Sequence, residues 1–299
     1  MPRSPQPAPP AAVTDLVIEW FATQGRDLPW RAPEATPWGV LVSEVMLQQT
    51  PVARVEPVWR TWLERWPIPA DLAQASQADA VRAWGRLGYP RRAMRLWECA
   101  RTLVAHHAGE VPRSEAALLA LPGVGEYTAA AVLAFAFGER TVVLDTNVRR
   151  VIGRVWRGEA MPTPHLTRAE REQAGELVPH ERATAASWNA AAMELGALVC
   201  VARAPRCEVC PVATHCTWFA AGKPGLDDAP ARSQAWHGTD RQVRGKVLAL
   251  LRAASAPINV TGHASVADVD PGQLDRCLES LVTDGLITLT DGGRGTYTL

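Results

Sequence analysis

The sequence predicts a mainly α-helical body in two lobes, followed by a small α+β domain. Apolar residues recur every three or four positions from residue 12 to about 220, with almost no strand-like alternation. Helix-breaking clusters cut that run into pieces. Alternating β-formers around a Gly-rich turn arrive only from Leu286 onward.

Taken in order, residues 1–11 carry Pro2, Pro5, Pro7, Pro9 and Pro10 and lack the apolar core of a signal peptide, so a disordered tail is expected. The body, residues 12–221, shows helical spacing at Leu16, Val17 and Trp20, at Val45, Met46 and Leu47, and from Leu118 through Val132, Leu133, Phe135 and Phe137. Breakers at Pro67-Ile68-Pro69, Gly88-Tyr89-Pro90 and Pro122-Gly123 fit short helix-to-helix turns. A six-helix lobe over about 36–140 and a second lobe from 12–35 and 141–221 follow. Trp59, Trp62 and Trp66 share one helical face and read as core. Residues 222–238 read as a linker. Beyond it, helices over 241–254 and 271–283 and a hairpin over 286–299 suggest a winged helix. Its second helix holds Asp275, Arg276 and Glu279, with Asp284 just beyond, a net acidic set poorly suited to phosphates. A packing or protein-contact module is expected instead.

The chain is 47% hydrophobic with zero formal net charge, so any nucleic-acid affinity must come from local patches. No apolar run is long enough to cross a bilayer. Among the 31 basic residues only Lys223 and Lys246 are lysines, which leaves residues 1–222 without an ε-amine.

Cys200, Cys207, Cys210 and Cys216 crowd into seventeen residues, which favours metal ligation over disulfides. Four thiolates suit either zinc or an iron–sulfur cluster. Cys99 and Cys277 sit in apolar patterns and read as buried thiols. Leu121-Pro122-Gly123-Val124-Gly125 has the form of a hairpin between helices, in which Gly123, Val124 and Gly125 turn backbone amides toward a phosphate. Twenty residues after the hairpin, Asp145 opens Asp145-Thr146-Asn147-Val148-Arg149-Arg150. By position it is either an N-cap or a catalytic carboxylate.

In this order, hairpin, downstream aspartate and cysteine loop resemble the helix-hairpin-helix DNA glycosylases over residues 26–220. The six, two and five spacing of the cysteines is similar to the 4Fe-4S loop of the endonuclease III superfamily. Ser43-Glu44-Val45-Met46-Leu47-Gln48-Gln49-Thr50 and Leu87-Gly88-Tyr89-Pro90-Arg91-Arg92 are similar to motifs of the A/G-specific adenine DNA glycosylases in their short actinobacterial form.

The resemblance implies a monofunctional base-excision enzyme that hydrolyses the N-glycosidic bond of adenine mispaired with 8-oxoguanine or guanine in double-stranded DNA, and of adenine opposite cytosine more weakly. It implies a 4Fe-4S cluster on the four cysteines, a monomer, and a cytoplasmic, nucleoid-associated location. Such chemistry needs a proton for the leaving base and negative charge beside an oxocarbenium-like sugar. Glu44, desolvated among Val45, Met46 and Leu47, would be the acid. Asp145, kept ionised by Asn147 and the hairpin-helix dipole, would stabilise or trap the cation. Glu44 as a solvated helix carboxylate is the plainer alternative. Tyr127 occupies the position of the lysine of bifunctional relatives and can orient a carboxylate but not form a Schiff base. Leu47, Gln49 and Tyr89 match residues at the lesion, the last two as wedges, while Trp30 and Arg31 match the adenine pocket wall. Arg203 and Arg206 would meet phosphates.

Two departures stand out: nothing after residue 222 resembles the Nudix-like domain of longer adenine glycosylases, and Pro90 replaces a second aromatic. A pyrimidine-specific lyase and a non-enzymatic iron–sulfur regulator are the rival readings.

Overall fold

The computed structural model describes residues 10–227, 237–290 and 295–299. Most of the expected tail, linker positions 228–236 and the hairpin turn 291–294 lie outside the described residues. The fold is mainly helical, and the helices group into two compact units.

The first unit takes the described residues of Met1–Glu44, Pro112–Ala120 and Val124–Ala231. Helix α1 (Pro10–Gln24) begins two residues inside the expected tail, with proline at its first position, where the missing N–H costs nothing. A short 3-10 turn, Pro29–Arg31, leads to α2 (Pro37–Leu47), whose entry is held by Thr36 Oγ1 accepting from the Gly39 amide at 3.1 Å. Helix α2 runs through Glu44 and on into the second unit.

The second unit takes Val45–Val111, Leu121–Gly123 and the described residues of Arg232–Leu299. It contains α3 (Val52–Arg65), α4 (Pro69–Gln74), α5 (Gln77–Trp84) and α6 (Arg91–His106). Ser76 and Asp79 close a reciprocal capping box on α5. The tryptophan face predicted from spacing forms this unit's core: Trp62 stands edge-on to Trp66 and Trp84 at 4.7 and 5.8 Å, and Trp59 is also buried.

The first unit resumes with α7 (Glu115–Leu119), α8 (Glu126–Phe137), α9 (Thr146–Ile152), α10 (Arg168–Leu177), α11 (Arg182–Leu198) and α12 (Thr217–Ala220). Its core joins Val13 and Val17 of α1 to Val148, Val151 and Ile152 of α9, Trp188 and Leu195 of α11, and Trp218 of α12. Gly196 lets α11 approach α9, because a Cβ there would meet Asn147 at 2.7 Å. After α9 the chain widens into one π turn, Gly153–Arg157.

The C-terminal part of the second unit follows the predicted pattern. Helix α13 (Asp240–Ala253) packs on α14 (Pro271–Thr283) through Val243, Val247, Leu251, Leu274, Cys277 and Leu281. Strands β1 (Ile258–Asn259), β2 (Thr288–Leu289) and β3 (Thr296–Thr298) form an antiparallel sheet in the order β1-β3-β2, with Ile258 opposite Tyr297 and Thr288 opposite Thr298. Strand β1 has no counterpart in the sequence reading, since two residues are too short to display alternation.

Candidate active site

Glu44 sits where α2 is buried on every side. Leu41, Val42, Ser43 and Met46 are fully buried and Glu44 is 4% exposed, which removes the solvated-helix alternative. The Tyr127 hydroxyl donates to its Oε2 at 3.0 Å. Burial pushes the Glu44 carboxyl up to about 7, the Tyr127 hydrogen bond and the Arg31 charge pull against it, and the Asp145 charge adds to it. Near neutral pH this carboxyl therefore divides between acid and base.

Tyr127 reaches Glu44 from the first turn of α8, among Ala130, Ala131, Ala134 and Val143. Burial, followed by the charges of Glu44 and Asp145, holds its phenol well above the usual range. It stays protonated and remains a donor.

Both carboxylate oxygens of Asp145 are held. Its Oδ1 accepts from the Val148 amide at 2.7 Å as the N-cap of α9, and its Oδ2 accepts from Asn147 Nδ2 at 2.7 Å. Burial raises its pKa, while those bonds and the Arg150 charge oppose the rise. The helix dipole it faces is that of α9 itself. Tyr127, in the first turn of the hairpin helix α8, also lies within electrostatic reach of Asp145.

Two groups that sequence reasoning missed hold this constellation. Glu194, buried in α11, accepts from the Arg26 amide at 3.0 Å and from its Nε and Nη2 at 2.6 and 2.9 Å, and from Arg31 Nη2 at 2.9 Å. Burial alone would raise the Glu194 carboxyl, but the two arginines hold it down at about 2. Arg31 is fixed in consequence as the positive charge that moderates Glu44. Trp30 beside it is buried. The available signal was one carboxylate in the apolar run Ala190-Ala191-Ala192-Met193-Glu194-Leu195. The second missed group is Asn189, which accepts from the Val143 amide at 3.3 Å and donates to the Thr141 carbonyl at 2.9 Å, fixing the segment that enters Asp145.

A polar chain runs from Asp145 to the cysteine loop. Asn147 Oδ1 accepts from Arg150 Nη2 at 2.8 Å, and the same guanidinium donates to the carbonyls of Gly196 and Cys200 at 2.7 Å each. Fully buried Arg154 donates to Cys200 Sγ at 3.4 Å and to the carbonyls of Val201 and Ala202 at 2.8 Å. Cys200, Cys207, Cys210 and Cys216 line one pocket, otherwise walled by apolar residues such as Val151, Val199 and Trp218. All four are free thiols. Among the described residues no three His, Cys, Asp or Glu side chains converge on a single-ion site. Four cysteine thiols lining one pocket are a donor set that suits either zinc or an iron–sulfur cluster. Exposed Arg206 also donates to the Leu198 carbonyl at 2.6 Å, and Arg203 is exposed on the same loop.

In the hairpin, Gly123 has φ +81° and a Cβ there would strike Arg95 Cβ at 2.8 Å, so glycine is required. The Val124 side chain is buried, and Gly125 is an extended N-cap without a side chain for α8. Backbone amides are what this turn offers a ligand.

In the second unit, Leu47 ends α2 half-buried, while Gln49 and Tyr89 are exposed. Gln49 (φ +55°) and Tyr89 (φ +47°) are two of four described non-glycine residues with positive φ. Strained backbone of this kind concentrates at ligand clamps. Arg92 lies over the Tyr89 ring at 4.4 Å.

Residues 42–176 match the HhH-GPD superfamily of base excision DNA repair proteins, and the structure has the fold of that superfamily. More narrowly, the chain belongs to the adenine DNA glycosylase family. It is 49% identical to the adenine DNA glycosylase of Mycobacterium tuberculosis (strain CDC 1551 / Oshkosh) over 286 residues, which cover 95% of this chain and 93% of that one. A thermostable thymine-DNA glycosylase structure matches with a TM-score of 0.64 and 29% identity, covering 71% of this chain and 97% of the other. Endonuclease III trapped as a covalent intermediate with DNA matches with a TM-score of 0.61 and 22% identity, covering 71% and 96%, a likeness of fold alone. The chain is a base-excision DNA glycosylase.

Proposed function

We propose that this glycosylase hydrolyses the N-glycosidic bond of adenine mispaired with 8-oxoguanine or guanine in double-stranded DNA, and of adenine opposite cytosine more weakly, leaving an abasic site. The observation that carries this reading is a buried Glu44 whose pKa lies at about 7, hydrogen-bonded to Tyr127 and within electrostatic reach of Asp145. Protonated Glu44 donates to the departing adenine, and the bonding electrons leave with the base. Asp145, whose charged form Asn147, the α9 amide of Val148 and Arg150 favour against the cost of burial, stabilises the sugar cation or captures it. Glu44, now a carboxylate, takes a proton from the incoming water. Residues 1–222 offer no lysine and Tyr127 offers no amine, so the strand is left intact.

Trp30 and Arg31 serve the base pocket, and Leu47, Gln49 and Tyr89 serve the gap left by the extruded base. Backbone amides of Gly123, Val124 and Gly125, with Arg203 and Arg206, grip phosphates. Cys200, Cys207, Cys210 and Cys216 would hold a 4Fe-4S cluster, whose contribution is to fix the loop rather than to react. The glycosylase body is assigned to 12–221 and the winged-helix-like domain to 239–299, joined by 222–238. The enzyme is assigned as a monomer of the bacterial cytoplasm and nucleoid, with the outer face of α14, Asp275 and Glu279, left for a repair protein.

The test is release of free base from A:8-oxoguanine, A:G, A:C and T:G duplexes, read with and without alkali, for the wild type and Glu44→Gln. Adenine release whose strand breaks need alkali, lost in the variant, supports the reading. Thymine release instead, or breakage without alkali, overturns it.

A further inference from the structure

A cleft in the second unit has a volume of about 1580 Å³ and lies between residues 85–98 and the C-terminal domain. Small-molecule sites usually span about 300–1,000 Å³, so its size suits a polymer better than a metabolite. Its charge is lopsided in a chain of zero net charge: ten of the lining side chains are Arg or Lys and three are Asp or Glu. Each of the three acids already meets an arginine. Asp284 accepts from Arg91 at 2.9 Å and from Arg244 at 2.5 Å, Glu98 from Arg95 at 2.9 Å, and Asp240 faces Arg276 at 3.8 Å. Arg54, Arg92 and Arg252 donate to the backbone carbonyls of Arg86, Gln48 and Val81, which orients them without cancelling their charge. Arg86, Arg91, Arg95, Arg241 and Arg276 are all exposed.

The positive bank contributed by the C-terminal domain is carried by Arg241 and Arg244 of α13 and by Arg276, on the cleft side of α14, whereas Lys246 is paired with Asp268 at 2.7 Å. The acidic pair Asp275 and Glu279, which made α14 look unsuited to phosphates, does not line it. Arg241 also lies over the Tyr89 ring at 5.4 Å, opening the cleft onto the wedge tyrosine.

We propose that this cleft is a DNA-phosphate track in which the C-terminal domain, through α13 and Arg276, contributes sequence-independent affinity beside the wedge. The proposal deepens the glycosylase reading and rests on it only for the identity of the polyanion. The domain thus enlarges the duplex-binding surface without needing a recognition helix in the major groove.

The test is binding of the full chain to an undamaged, fully paired duplex across a salt series, comparing wild type, Arg241→Ala/Arg276→Ala and Arg241→Lys/Arg276→Lys. Loss of two phosphate contacts lowers the slope of log Kobs against log salt by about 1.8, while the lysine pair keeps it. An unchanged slope in a folded alanine variant overturns the proposal and leaves the cleft to an acidic protein. A reduced lysine-variant slope overturns the phosphate-charge account as well. Because the duplex carries no substrate, the outcome is independent of adenine release, so failure of the cleft and failure of the glycosylase reading are told apart.

Discussion

Replacing Tyr127 by Phe removes one hydroxyl, and the structure fixes both the direction and the size of the effect. That hydroxyl donates to the Glu44 carboxylate at 3.0 Å and stabilises its ionised form. A hydrogen bond to a charged group is worth about 1.5–3 kcal/mol, and 1.36 kcal/mol corresponds to one pKa unit. The Glu44 midpoint, about 7 in the wild type, is therefore expected to rise by roughly one to two units in the variant. In the proposed mechanism Glu44 must be protonated, so the rate is expected to fall about tenfold per pH unit above the midpoint. Single-turnover adenine release, followed from pH 5.5 to about 9.5, should show the alkaline limb displaced upward, whatever happens to the plateau. A limb that stays in place, or moves toward acid, refutes the assignment of Glu44 as the acid governed by this contact.

Three further outcomes follow from the same charges. Glu44→Gln should abolish excision yet stabilise the fold: the folded pKa of about 7 lies above the ordinary 4.5, so the wild type loses stability as pH rises through that window. Urea melts at pH 8 should favour the variant by about 3 kcal/mol and converge below pH 4.5, whereas equal stability at pH 8 would contradict a desolvated carboxylate. Glu194→Gln should cost about 3 kcal/mol at pH 7 by breaking the hold on Arg26 and Arg31. With a folded pKa of about 2, below the ordinary value, that stability is complete above pH 4.5 and lost toward pH 2, so the two proteins' urea midpoints should converge in acid. Cys207→Ser should lose the visible absorbance of an iron–sulfur chromophore together with thermal stability and DNA affinity, and full activity of an iron-free variant would break the link from the loop to Asp145.

The helices were legible because their apolar faces repeat at helical spacing, and the Trp59, Trp62 and Trp66 face packs as its period requires. Glu44 and Asp145 were legible as motif positions, but their chemistry was not, since desolvation depends on neighbours far along the chain. Glu194 shows why: its partner Arg26 is 168 residues away, and nothing local in either segment announces the pair. Asp145 was ambiguous in sequence because capping and catalysis both want a carboxylate there; in the folded chain one oxygen caps α9 and the other accepts from Asn147. Arg150 and Arg154 look like surface cations in an arginine-rich protein, yet both are buried donors to the cysteine loop. The role of the α13 charges was not legible in sequence, since only the folded cleft shows which helix faces the arginines of residues 86–95.

The proposed mechanism rests on Glu44 as an acid held near neutrality by burial. Direct titration of that carboxyl tests it most simply, by isotope-edited infrared difference spectra between wild type and Glu44→Gln across pH. A single carboxyl band that titrates with a midpoint of about 7, above the ordinary 4.5, is expected. A band that titrates at the ordinary value would contradict it, because such a group would be ionised at neutral pH and could not protonate the leaving adenine.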